Sequence, residues 1–140
     1  MKVKVVKSHP DAVIPEYKTE GAAGFDFHII EDVTLSNSSK VVPTGLKMEI
    51  PKGFELQIRP RSGLSLKTTL MIPNSPGTID SDYRGEIGII ACSRGGKLIN
   101  LNKGDRIAQG VIVPIEQVEF EQCEELSDTE RGEGAYGSTN

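Results

Sequence analysis

Arg59 and Arg61 bracket a proline in the stretch RPRSGLSLK at 59–67, and a Ser62–Gly63 turn follows them. An arginine fork grips phosphate oxygens in pairs, and a helix start offers the same anion free backbone N–H groups and a positive dipole end. Further on, PNSPGTIDSDYRGEIGII at 73–90 puts Asp80, Asp82 and Tyr83 near a bend between two strand-like runs. A carboxylate held beside an electrophilic phosphorus can take a proton from water as a general base, and a tyrosine ring there can pack on a sugar or a base. Strand alternation points Asp80 and Asp82 the same way, so the pattern leaves both open as that base. In NKGDRIAQGVIV at 102–113 a Lys-Gly-Asp turn feeds a strand carrying Gln109. Asp105 and Arg106 read there as an exposed ion pair worth under about 1 kcal/mol. The last segment, RGEGAYGSTN at 131–140, combines Arg131, three glycines, Tyr136, Ser138 and Thr139. Its glycine amides can close around an anion, although it lacks the lysine of a Walker A loop. Taken singly, each segment also has an ordinary account as a charged strand end, a turn or a solvated tail.

Short strands must position these groups. Apolar residues alternate at Val3 and Val5, at Phe25, Phe27 and Ile29, and at Leu46, Met48 and Ile50. The same spacing recurs at Phe54, Leu56 and Ile58, at Ile87 and Ile89, and at Val111, Val113 and Ile115. This period of two predicts strands with one face in a core. Fifteen glycines and eight prolines supply the reversals between them. The one helix predicted is short and begins near Ser62, with Ser62 as its N-cap and Leu64, Leu66 and Lys67 following. The expected fold is all-β, a jelly-roll-like sandwich or barrel. From Glu121 the apolar content collapses and acids accumulate, which divides the chain into a β domain at 1–120 and a mobile arm at 121–140.

Composition narrows the function. Sixteen Lys and Arg against twenty Asp and Glu give a net charge of −4, the wrong sign for coating a nucleic acid but no obstacle to a small anion. No apolar run is long enough to cross a membrane, and the first residues lack a signal-peptide pattern, so a cytoplasmic location is expected. Cys92 and Cys123 form no CxxC, and His9 and His28 have no ligand-spaced neighbours, which argues against a structural zinc site.

In this order the segments resemble the trimeric dUTPase family. AAGFDF (22–27), RPRSGL (59–64), GTIDSDYRGEIGI (77–89), GDRIAQ (104–109) and RGEGAYGST (131–139) are similar to its five motifs. The resemblance runs over nearly the whole chain. It implies a homotrimer whose sites each draw on three subunits: one for the phosphate motifs, one for the deoxyuridine hairpin, one for the closing tail. It implies Asp80 as the water-activating base, which would separate it from Asp82, and Tyr83 as the ring packed on deoxyribose. Asn74 and the backbone to Gly77 would read the uracil edge. Arg61, Ser62, Gly63 and Gln109 would contact phosphates. Asp26 would order the site through water, and Arg131, Tyr136, Gly137, Ser138 and Thr139 would form the lid. Tyr136 departs from the usual phenylalanine, though it too can stack. The implied reaction is Mg²⁺-assisted hydrolysis of dUTP to dUMP and pyrophosphate, the ion being held by phosphate oxygens and water. The rival enzyme is a dCTP deaminase of the same fold, with Glu86 beside the hairpin. A rival of another class is a non-enzymatic binding protein on this scaffold.

Overall fold

Phe25, Phe27 and Ile29 alternate with Asp26 and His28, and the backbone forms a strand that buries the apolar set while leaving the polar set half-buried. The computed structural model describes residues 1–137. Its elements in chain order are β1 (Lys4–Lys7), β2 (Phe25–His28), β3 (Val33–Leu35), β4 (Lys40–Pro43), β5 (Leu46–Glu49), β6 (Phe54–Pro60) and α1 (Ser62–Lys67). They continue as β7 (Leu70–Met71), β8 (Gly77–Ile79), β9 (Gly88–Ser93), β10 (Ile99–Leu101) and β11 (Arg106–Pro114). Every pairing is antiparallel: β2-β11-β6-β8 form one sheet, β4-β9-β7 a second, and β1-β5 and β3-β10 two ribbons. The expected all-β architecture with one short helix is what forms.

Phe27, Leu35, Val42, Leu46, Leu56 and Ile89 are fully buried in one core. Each such side chain contributes about 1.5–3 kcal/mol relative to exposure. The long strand β11 departs from the predicted phase. A register shift between Arg106 and Ala108 buries both Ile107 and Ala108, after which Gly110 faces the core and Ile112 packs against it. Val111, Val113 and Ile115 therefore lie on the other phase, contrary to the alternation read from their spacing, because Ile112 between them is apolar too and spacing alone does not choose the inward face. Gly110 has no room for a side chain: a Cβ there would come within 2.6 Å of Phe25 and 2.7 Å of Phe27.

The helix begins one residue earlier than expected. Arg61, in extended conformation, occupies the N-cap, no side chain caps the turn, and Ser62 is already helical. The β conformation that the end of β6 imposes persists through Arg61, so Ser62 cannot take the cap position. From Ile115 to Gly137 no strand or helix forms, and nearly every residue is exposed. Among the described residues no helix is long and apolar enough to cross a membrane.

Candidate active site

Arg61 is the most constrained of the candidate groups. Its Nε lies 2.8 Å from Asp26 Oδ1, and its NH1 donates to the Arg106 carbonyl at 2.8 Å. Arg106 NH1 donates to the other Asp26 oxygen at 3.0 Å. β11 sets this clamp, since it lies between β2 and β6 and opposes Gln109 to Asp26 on one side and to Arg59 on the other. Asp26 thus holds both arginines by direct ion pairs. Arg106 does not form the expected pair with Asp105, whose carboxylate instead accepts the Asn102 amide at 2.8 Å. The bulge at Arg106 turns its guanidinium to β2, a displacement that strand periodicity could not signal.

The local charge is one aspartate against two arginines. Burial pushes the neighbouring His28 imidazole below its usual value, Arg106 adds to the shift, and Asp26 opposes it. His28 is therefore neutral near pH 7, and its Nδ1 is buried without a hydrogen-bond partner. Asp26→Ala is expected to leave two like charges facing each other. It should cost about 1–3 kcal/mol in denaturant unfolding and raise KM for a phosphate-bearing substrate, because Arg61 loses its orientation.

Gln109 Nε2 donates to the Pro60 carbonyl at 2.8 Å, tying β11 to the strand end that carries Arg61. Ser62 and Gly63 are exposed in the first turn of α1. A hollow of about 310 Å³ opens here between Arg61, Leu64, Leu101, Gly104, Asp105 and Arg106. Arg59, the other arginine of the motif, turns away and donates to Gln57 Oε1 at 2.6 and 2.9 Å.

The second group of candidates lies on β8 and the turn after it. Gly77 is buried opposite Ile58, and a Cβ there would stand 2.9 Å from Asn74 Nδ2, so glycine lets the Asn74 amide fold over the strand. Asp80 follows β8 directly, and its carbonyl accepts the Tyr83 amide at 3.2 Å in a tight turn. Its carboxylate is exposed and has no ion pair or side-chain hydrogen bond among the described residues. Strand geometry ends at Ile79, so the alternation that grouped Asp82 with Asp80 does not apply. Asp82 instead lines a polar hollow with Glu49, Lys52, Ser81 and Arg84.

The two groups stand apart within one chain. β6 and β8 pair Leu56 with Ile79, and the next position in that register opposes Asp80 to Glu55. Arg61 lies six residues further along, roughly 20 Å at about 3.3 Å per residue. In the tail, Arg131 Nε donates to the Gly134 carbonyl at 2.7 Å, while Tyr136 is fully exposed with φ 51° and Gly137 has φ 92°. Ser138 and Thr139 lie outside the described residues.

Two arginines clamped on Asp26 beside an open hollow make a site suited to phosphate oxygens. The dUTPase family model matches residues 10–140, and the chain belongs to that family. It is 49% identical to the deoxyuridine 5'-triphosphate nucleotidohydrolase of Helicobacter pylori strain P12, covering 99% of this chain and 97% of that one. With the enzyme of the same name from Nautilia profundicola it shares 51% identity over 99% of both chains. Among solved structures it is similar to the Staphylococcus bacteriophage 80alpha dUTPase with dUPNHPP, at TM-score 0.88 and 32% identity over 99% of this chain and 98% of that one. It is also similar to an aspartate variant of the phage phi11 dUTPase of S. aureus that coordinates a structural Mg(II) ion, at TM-score 0.81 and 30% identity over 89% and 98%. The likeness to these structures carries the jelly-roll-like description of the fold.

Proposed function

We propose that this chain hydrolyses dUTP to dUMP and pyrophosphate, with Asp80 as general base, in a homotrimer whose sites are shared between subunits. The observation that carries the reaction is the layout of one hairpin. Asn74 and Gly77 stand at the start of β8, and Asp80 and Tyr83 follow its end. Three residues of strand, about 10 Å, separate a uracil-reading end from a proton-accepting end. A nucleotide laid along that strand presents its α-phosphorus to Asp80. Water attacks the phosphorus in line, Asp80 takes its proton, and the bond to the bridging oxygen of the leaving pyrophosphate breaks.

Arg61, fixed by Asp26, positions the phosphates with Gln109 and the first turn of α1. Support for a shared site comes from the roughly 20 Å of backbone between Arg61 and Asp80 along the sheet, a span that a site built from two chains does not require. Val118, Phe120 and Leu126 are exposed on the segment after β11, which fits a segment that crosses to a neighbouring copy. Its end, with Arg131, Tyr136, Gly137, Ser138 and Thr139, would close over the bound nucleotide.

Both Asp26 oxygens are engaged by arginines, and no three His, Cys, Asp or Glu side chains converge among the described residues. That donor set fits Mg²⁺ carried on the triphosphate with water in its remaining positions, Asp26 reaching it only through water. Bound in this way, Mg²⁺ would supply positive charge against the leaving pyrophosphate. The deaminase reading is disfavoured by Glu86, whose carboxylate accepts from Ser8 Oγ at 3.0 Å and from the Gly45 amide at 3.1 Å and so serves the fold.

The test is a product assay with Mg²⁺ and dUTP, dCTP, dTTP or UTP. Expected are dUMP and pyrophosphate from dUTP, with the other three nucleotides poor substrates. Ammonia from dCTP would move the chain to the deaminase branch, and no product from any of the four would favour a binding role.

A further inference from the structure

The ring of Tyr83 lies directly over the backbone of Gly85. A Cβ on Gly85 would stand 2.2 Å from the Tyr83 hydroxyl, 2.4 Å from Cζ and 2.9 Å from Cε2. All three nearest atoms to that Cβ belong to the one ring. The φ of Gly85 lies outside the left-handed region, so alanine would meet no backbone strain there. The Tyr83 side chain is what an alanine would have to displace.

A second contact holds the ring on this seat. The Tyr83 hydroxyl donates to the Glu86 carbonyl at 2.9 Å. That carbonyl cannot drift, because its residue and the next are tied to the β4–β5 turn. The Glu86 carboxylate accepts from the Gly45 amide and from Ser8. The Ile87 amide donates to the Leu46 carbonyl at 2.8 Å, and buried Thr44 Oγ1 donates to the Ile87 carbonyl at 2.6 Å. The acceptor for the ring is thus fastened to the core, while Gly85 leaves the ring free to reach it.

We infer that Gly85 is a positioning residue for sugar selection: the gap it leaves seats Tyr83, and that seat sets how strictly a ribose 2′-hydroxyl is refused. The inference rests on the proposed function, in which Tyr83 packs on deoxyribose. An alanine at Gly85 would force the hydroxyl end of the ring from 2.2 Å to beyond 3.4 Å, the start of ordinary contact, a retreat of more than 1 Å. The tether to Glu86 breaks with that movement. A ring cut loose from its seat yields to one additional oxygen instead of excluding it.

The experiment measures kcat/KM for dUTP and UTP in the native protein, Gly85→Ala, Tyr83→Ala and the double variant, with a thermal melt of each. Gly85→Ala is expected to raise the UTP/dUTP ratio by roughly tenfold or more, towards the value for Tyr83→Ala. The double variant is expected to match Tyr83→Ala in both ratio and melting temperature, since the three atoms nearest to the alanine go with the Tyr83 side chain. An unchanged ratio in Tyr83→Ala would overturn the sugar-packing reading itself. A relaxed ratio in Tyr83→Ala with native discrimination in Gly85→Ala would overturn only the role of Gly85. Should Gly85→Ala fail to fold, the double variant decides: folding like Tyr83→Ala supports the seat, and failure to fold overturns it.

Discussion

Asp80→Asn is expected to cut kcat for dUTP by about 10²–10⁴-fold while leaving nucleotide affinity within about threefold of the native value. Asparagine keeps the size of the side chain and can still accept a hydrogen bond from water, but it cannot take the proton. The substitution is mild for the fold. The Asp80 carboxylate is exposed and has no partner among the described residues, and the turn it opens is held by its backbone carbonyl. Loss of turnover would therefore report chemistry and not unfolding. The measurement is pyrophosphate release at saturating dUTP, paired with binding of a non-hydrolysable dUTP analogue and a thermal melt. Asp82→Asn serves as the contrast and should stay within about twofold of the native kcat, because Asp82 lines a different hollow with Glu49, Lys52 and Arg84. Near-native turnover in Asp80→Asn would remove Asp80 from the mechanism.

How far such a site can be seen in the sequence depends on the range of the interaction that builds it. The alternation of Phe25, Phe27 and Ile29 is local, and it correctly placed Asp26 on the half-buried polar face of β2. Nothing local to Asp26 says what it touches. Its partners, Arg61 and Arg106, come from the ends of two other strands, and antiparallel pairing through β11 brings them together. The same strand defeated the periodicity argument at Val111, Val113 and Ile115, because Ile112 between them is apolar too and the spacing holds no sign of which face turns inward. Ser62 had the right type for an N-cap but the wrong backbone, which the preceding strand decides. Asp80 and Asp82 could not be separated by alternation because alternation stops at Ile79. Gly85 carried a faint signal, a glycine two residues after a tyrosine, which acquires meaning only when the ring is seen to lie on it. The alternating strands were legible; the short strands β3, β4, β7 and β10 and the cross-strand partnerships were not.

Two inactive variants, Asp80→Asn and Arg61→Ala, are expected to recover about a quarter of native activity when unfolded together at equal amounts and refolded as mixed trimers. Alone, each is crippled at every site: one lacks the base, and the other loses about 10²-fold in phosphate positioning. Arg61→Ala should still fold, since Asp26 keeps its ion pair with Arg106. If a site takes Asp80 from one chain and Arg61 from another, half of the first positions and half of the second are intact in a random mixture. Their product is about one quarter. The geometry behind this is the roughly 20 Å of backbone along β6 between the two groups, a span that a site shared between chains does not require. A second mixture sharpens the test. Native chain refolded with an equal amount of the doubly substituted chain should give about a quarter of native activity per chain for a shared site, against about half for a site contained in one chain. A dead mixture of the two single variants, together with half activity in the second mixture, would confine the site to one chain. Arg61 and Asp80 of one chain would then have to serve the same bound triphosphate.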